Sequence, residues 1–473
     1  MKTLIHHKYT PRYKHQMHTL KRVFMLLFSF GIINCSEFVE VDPPKNILIS
    51  ETVFNDPATV ESALANIYYG LREQGMLSGS SGLTTGLGIY SDELDYYGFD
   101  TDYLQLYNHN VIAGNNRILN WWSEAYSHIY SANDIIKGVE NSNALTVEEK
   151  NVFKGQALLV RAYIHSLLAA LYGDIPYVTS TDYLTNNIIS RTPVSEVYDH
   201  IIQDLSSAVV SLEGMDSFSS SRVLPNVWVA KVLLARMYLY TEQWDMAATV
   251  ATESIHMFGL EPDLNKVFLN DSPETIWQFK PGEYPKNTRE ATQFIIQVIP
   301  GQTYALTDEL MAAFEDGDLR KTYWTNSISD SEGTITLHYA YKYKANLNET
   351  ESLEYSILLR SAELFLIRAE ARAHLGEING AQQDVNSIRN RAGLPNTEAT
   401  TINDLLSAIL QERRIEFFTE HGHRWFDLKR TGLATETLQD QKLNWQPTDI
   451  LFPVPESEIE VNPNLLPQNN GYQ

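Results

Sequence analysis

LLRSAELFLIRAEARAHLGEINGAQQDVNSIRNRAGL, residues 358–394, is the stretch whose reading decides the fold. Ala362, Phe365, Leu366, Ala369 and Ala373 recur at steps of three and four, which places them on one stripe of a helix. The alanines of that stripe let a partner helix approach closely. Gly376 interrupts the helix, Asn379 with Gln382 three residues on has the pattern of a capping box, and Gly393 closes the second helix. The stretch therefore predicts an antiparallel helical hairpin. INDLLSAILQERRIEFFTEHGHRWFDLKR, residues 402–430, continues the same pattern.

Working outward, NVWVAKVLLARMYLY, a TEQW turn and DMAATVATESIHMF form another pair over residues 226–258. Ala235 and Ala247 are twelve apart, as are Ala369 and Ala381. Small residues at that separation let the helices of a tetratricopeptide-type hairpin cross closely, although Arg372 stands where that repeat prefers Tyr. Upstream, Thr146 and Glu149 form a capping box for a long helix through Tyr172, and Thr192–Pro193 opens the next. Earlier helices are expected from Pro57 and from near Ile118. The chain thus reads as all-α dominated, a tetratricopeptide-like scaffold of about four hairpins over residues 149–213, 227–258, 359–391 and 403–430.

Two stretches break the helical period. Residues 75–117 open with a Gly/Ser/Thr-rich loop and continue into SDELDYYGFDTDYLQLYNHN. Residues 260–354 carry short strand-like runs, ETIWQFK, QFIIQVI and TITLHYAYKYK. After Arg430 repeated Pro and Asn oppose regular structure.

The formal net charge is −23, and the first 34 residues hold six basic and no acidic groups, so the remainder stands at −29. Such a balance excludes a nucleic-acid partner, which needs a basic face. Lys21 and Arg22 precede an eleven-residue apolar run, Val23–Ile33, long enough for a signal-peptide core and too short to span a bilayer. It ends just before Cys35, the single cysteine. That arrangement reads as a lipoprotein signal over residues 1–34, lipidation at Cys35, a tether over 35–50 and one folded domain over 51–473. Met17 also opens a complete signal.

No residue pattern demands catalysis. His421 and His423 are two apart, a spacing that puts helical side chains on different faces, and no third ligand completes a metal site. The charges of ERRIEFFTEHGHRWFDLKR, with Glu363, Arg368 and Glu370, read as pairs within helices and as capping at Gly422. Asp92, Glu93 and Asp95 could supply a glycosidase acid and nucleophile, but acidic loops are far more often solvated. No phosphate loop, nucleophile elbow or HExxH helix is present. No cofactor is expected. Aromatic residues in loops fit a ligand better: a sugar ring stacks its apolar face on Trp or Tyr while flanking polar groups meet its edge. On that chemistry the candidate contacts are Asp92, Tyr96, Tyr97, Tyr284, Tyr323 and Trp324, with Tyr103 and Tyr107 in the same segment.

RAYIHSLLAALYGDIPYV, KVLLARMYLYTEQWDMA, AEARAHLG, VNSIRNRAGL, ERRIEFFTEHGHRWFDLKRTG and LFPVPESEIEVNPNLLPQNNGY, in this order behind a lipoprotein-type signal, resemble the SusD/RagB family of surface nutrient-binding lipoproteins. The resemblance implies four tetratricopeptide-like hairpins carrying a variable, loop-rich portion. It implies lipid anchoring on the outer leaflet of the outer membrane and a SusC-like TonB-dependent transporter as partner. It implies capture of oligosaccharides, or of peptides as in the RagB type, without catalysis. The contacts would come from the variable portion, here Ser91 to Asn110 and Leu260 to Glu354. A repeat scaffold that binds another protein and no small ligand is the alternative of a different class.

Overall fold

The computed structural model describes residues 53–73, 76–78, 81–216, 221–282 and 286–472. Cys35, the signal, the tether and Tyr284 lie outside the described residues. Helices dominate. In chain order the principal ones are α1 (Pro57–Glu73), α2 (Leu83–Tyr90), α3 (Thr101–Tyr107), α4 (Asn116–Asn141), α5 (Val147–Tyr172) and α6 (Val194–Ser211). There follow α7 (Val227–Tyr240), α8 (Trp244–Ile255), α9 (Ser361–His374), α10 (Ile378–Arg391), α11 (Ile402–Glu416) and α12 (His423–Arg430). From α4 to α11 each helix packs on the next, so the scaffold is a stack of antiparallel pairs.

The alanine stripe does what its spacing predicts. Ala362, Ala369 and Ala373 on α9 are fully buried, and Ala369 and Ala381, twelve apart, meet in one cluster with Val385, Leu405 and Ile409. Ala235 and Ala247 are likewise fully buried. At α5 the capping box forms: Thr146 Oγ1 accepts the Glu149 N–H at 3.2 Å, and Glu149 accepts the Thr146 N–H at 2.8 Å. The expected box at Asn379 does not. There α10 starts at Ile378 behind Glu377, without a side-chain cap, and the reversal is made by Gly376 at φ +78°. Leu358 and Leu359 belong to a strand, and the helix begins three residues later than its apolar pattern.

Among the described residues, strands occur as three antiparallel pairs: β1 (Leu94–Tyr96) with β3 (Tyr304–Leu306), β2 (Thr275–Phe279) with β6 (Ser356–Arg360), and β4 (Thr325–Ser329) with β5 (Thr336–Ala340). QFIIQVI is not a strand; its start lies in a short helix, Arg289–Phe294. The glycine-rich run after Gly75 contains α2, which is buried throughout and so carries no polar period. Short helices Ala434–Leu438 and Glu456–Val461 interrupt the Pro/Asn-rich tail.

The charged motif of α11 and α12 departs most from expectation. Arg430 and Asp427 pair within α12 as expected, but most of its groups pair between elements. Arg360, at the end of β6, meets Glu416 at 2.5 Å, Glu274 at 2.8 Å and Glu420 at 2.9 Å. Arg320 binds Asp318, Glu412 and Glu416 at 2.8, 2.9 and 3.1 Å, and Arg391 joins Glu274 and Glu416. Arg360 and Glu416 are 2% and 0% exposed. These contacts tie the end of α10, α11 and the loop after it to the start of β2 and the end of β6. Gly422, φ +77°, stands at the start of α12 and does not end α11, which stops at Glu416. His421 sits in the intervening loop, its ring nitrogens on the Leu77 and Ile357 carbonyls, while His423 stacks on Phe417. No group of three or more His, Cys, Asp or Glu suited to a metal ion occurs among the described residues. No described helix is long and apolar enough to cross a membrane.

Candidate ligand-binding face

The segment Ser91–Asn110, expected to lack regular structure, is built around β1. Its register, Leu94↔Leu306, Asp95↔Ala305 and Tyr96↔Tyr304, extends through the Tyr97 N–H to the Thr303 carbonyl at 2.9 Å. Strand alternation then sorts the side chains. Leu94 and Tyr96 point inward and are buried, whereas Asp95 is half-buried and Tyr97 is 40% exposed. A Cβ at Gly98 would lie 2.4 Å from the Tyr96 hydroxyl, so only glycine lets the chain turn there. The turn projects Phe99, 94% exposed. It is fixed from behind, because the Tyr96 hydroxyl accepts the Asp100 N–H at 3.1 Å and Asp100 caps α3.

Beside the Tyr97 ring lies a polar wall. Tyr107 donates to Asp95 Oδ1 at 2.9 Å, and Lys442 Nζ lies 4.5 Å from the centre of the Tyr107 ring while donating to the Ile89 carbonyl. Burial, and then the Asp95 charge, push the Tyr107 hydroxyl above its ordinary range; burial does the same to Tyr97, with Asp95 and Asp308 adding to it. Both hydroxyls are therefore protonated donors at neutral pH. Burial pushes Lys442 down to about 8, against the pull of Asp95, Asp92 and Glu309. Exposed Asp308 and Glu309 open the short helix Asp308–Ala313 that follows β3. The face thus combines two accessible aromatic rings with hydroxyl donors and carboxylate acceptors, the combination that suits a polyhydroxylated ring.

The other candidates are placed differently. Asp92 is buried and grips Arg424 through both oxygens, at 2.7 and 2.8 Å, and Arg414 at 2.8 Å. Burial pushes its carboxyl up, but Arg424 and Arg414 outweigh burial and hold it below the usual range. It is a lattice member of the interior and not a solvated loop carboxylate. Burial and the adjacent Asp92 push buried Glu93 up to about 8. Trp324 is fully buried, donates to the Leu264 carbonyl at 2.9 Å, and packs near Lys342, Arg360 and Arg391. Tyr323 is half-buried against the main core. Tyr96 supports the face from beneath, and Tyr103 is buried under Arg117. Of the candidates in the described residues, Tyr97 alone is exposed. Phe99 is the residue sequence reasoning passed over; its signal was an aromatic placed directly after a glycine in an acidic segment.

A family profile described as "SusD family" matches residues 248–472, and one described as "Starch-binding associating with outer membrane" matches residues 37–239. SusD-like protein P2 of Formosa agariphila is 27% identical over 95% of this chain and 99% of its own length. A SusD-like protein of Bacteroides ovatus is 25% identical over 83% of this chain and 79% of its own. Among solved structures, a SusD superfamily protein from Bacteroides vulgatus superposes with TM-score 0.77 at 20% identity, covering 89% of this chain and all of that one. A laminarin-binding SusD-like protein superposes with TM-score 0.73 at 20% identity over 88% of this chain and 99% of its own. Two profiles in series, relatives matched along most of their length and a shared helical fold lead to one assignment: the chain belongs to the SusD/RagB family.

Proposed function

We propose that the protein captures oligosaccharides at the face of Tyr97 and Phe99 and delivers them to a SusC-like TonB-dependent transporter. In this reading it is held on the outer membrane by a lipid on Cys35, facing the cell surface, and it binds without catalysing. The observation that carries the reading is the pair of exposed aromatic rings on a rigid strand and turn, backed by Asp95 and Tyr107. The laminarin-binding relative adds support, since it shares the fold. Asp92 and Glu93 fit poorly as hydrolytic groups, because both are buried and Asp92 is committed to two arginines.

Isothermal titration of the mature protein against a glycan panel that includes laminarin tests this. Binding in the micromolar range, an order typical of stacking sites, is expected, with loss in Tyr97→Ala and in Phe99→Ala. Failure of the whole panel overturns the glycan reading, and binding of a peptide mixture instead would move the cargo to the RagB type. Labelling with a fatty acid should disappear in Cys35→Ala; retention would place the anchor elsewhere.

A further inference from the structure

A cavity of about 400 Å³ lies between the end of α5, the start of α6, α12 and the C-terminal segment, and none of its lining residues belongs to the Tyr97 face. Tyr198, Tyr240 and Phe426 give it aromatic walls, and Arg191 and Lys429 line it. Both cations are partly buried, and they differ from the buried arginines. Arg161, Arg236, Arg320, Arg360 and Arg413 each hold a carboxylate. Lys429, among the described residues, has only the Ala170 carbonyl as partner, and burial pushes it down to about 7. Arg191 bonds to the carbonyls of Asp174 and Pro467 at 2.7 Å and to Asn469 Oδ1 at 2.5 Å, but to no carboxylate among the described residues. Arg430 also lines the cavity and is committed to Glu370 and Asp427. Asp174 is exposed, and its carboxylate accepts the Val194 N–H at 2.8 Å.

Both cations cover carbonyls at the end of α5, where the helix dipole favours positive charge. That role leaves capacity over. An ammonium has three donors and a guanidinium five; Lys429 spends one and Arg191 four, which leaves two on Lys429 and one on Arg191. In a protein of net charge −23, Arg191 and Lys429, neither in a direct ion pair among the described residues, bring positive charge to an aromatic-walled cavity whose one lining carboxylate is Asp174.

We infer that this cavity is a second ligand site, which takes an organic carboxylate carried on a ring. The carboxylate would sit between Lys429 Nζ and the Arg191 guanidinium, with the ring against Tyr198, Tyr240 and Phe426. Uronic acids and non-sugar ring acids share this chemistry, and the inference does not depend on the glycan reading of the Tyr97 face.

The test is isothermal titration of the mature full chain with D-glucuronate, benzoate, sulfate and D-glucose. Glucuronate or benzoate should bind with one-to-one saturation, and glucose and sulfate at least about tenfold more weakly. Lys429→Met and Arg191→Gln should each weaken the carboxylate by about tenfold, whereas Lys429→Arg, which keeps the charge, should stay within about threefold. Glucuronate alone would mark a sugar-acid site and benzoate a broader one; either supports the inference. Tyr97→Ala should leave this binding unchanged. Absence of carboxylate binding, equal binding of sulfate as an adventitious ion only, equal binding of glucose, indifference to both charge-removing variants, or loss in Tyr97→Ala would each overturn it. Should both variants melt early, the wild-type preference for glucuronate or benzoate over glucose decides.

Discussion

The ionic cluster around Arg360 and the face around Tyr97 use the same kinds of side chain in opposite ways. In the cluster, arginines and glutamates are sealed from water and saturated with one another. At the face, aromatic rings, a tyrosine hydroxyl and carboxylates stand half-open with bonding capacity left over. The difference teaches that density of charge in a sequence marks this protein's rigid support, while its reactive surface is sparse in pattern. Breaking a buried pair leaves an uncompensated charge, so the two regions should respond to mutation on very different scales.

The sharpest way to break the comparison is Arg360→Met. It removes one buried cation from Glu274, Glu416 and Glu420, leaving them to share Arg391, Arg320 and Lys342, and should cost about 3–5 kcal/mol in urea unfolding. A cost below about 1 kcal/mol would mean that the cluster is not a support. Acid should act on the same groups. Burial pushes Glu416 up, but Arg391, Arg360 and Arg320 hold its folded carboxyl far below the ordinary 4.5. Its contribution is therefore present above that pH and lost as pH falls below it. The urea midpoint should drop steeply between pH 5 and about pH 3, and a flat profile would count against the network.

Glu93 runs the other way. Its folded carboxyl is raised from 4.5 to about 8, so its contribution is intact below 4.5 and is lost as pH rises toward 8. Glu93→Gln, which mimics the protonated form, should be more stable than the parent by about 1–3 kcal/mol at pH 8 and equal to it at pH 4. No gain at pH 8 would show that Glu93 ionises freely. Thr146→Ala removes the capping box of α5 and should cost about 1 kcal/mol by thermal melting. At the small end, Tyr97→Ala should change stability by less than about 0.5 kcal/mol while reducing glycan binding. A larger loss would place Tyr97 in the scaffold.

The scaffold was legible because close packing imposes periodicity. Ala369 and Ala381, and Ala235 and Ala247, could be matched at their fixed separation because only small residues fit where those helices cross. The capping box at Thr146 was equally readable, being a local bond between near neighbours. Partners far apart in the chain were not. Asp92 meets Arg414 and Arg424 across more than 300 residues, and no local spacing encodes that. Trp324 was misplaced for the same reason, since its cover of Lys342, Arg360 and Arg391 comes from separate segments. Buried α2 hid inside a glycine-rich run because a helix enclosed on all sides needs no amphipathic stripe. The face itself was half-read: Tyr97 follows from the aromatic segment, but the exposure of Phe99 depends on the turn at Gly98 and the pairing of β1 with β3.

The central claim is that ligand is held at the Tyr97 and Phe99 face while the ionic cluster only supports it. Isothermal titration of the best-binding glycan into Tyr97→Ala/Phe99→Ala, paired with its melting curve, tests this most directly. The account predicts at least about a tenfold loss of affinity with an unchanged melting temperature. Undiminished binding by that folded double variant would contradict it.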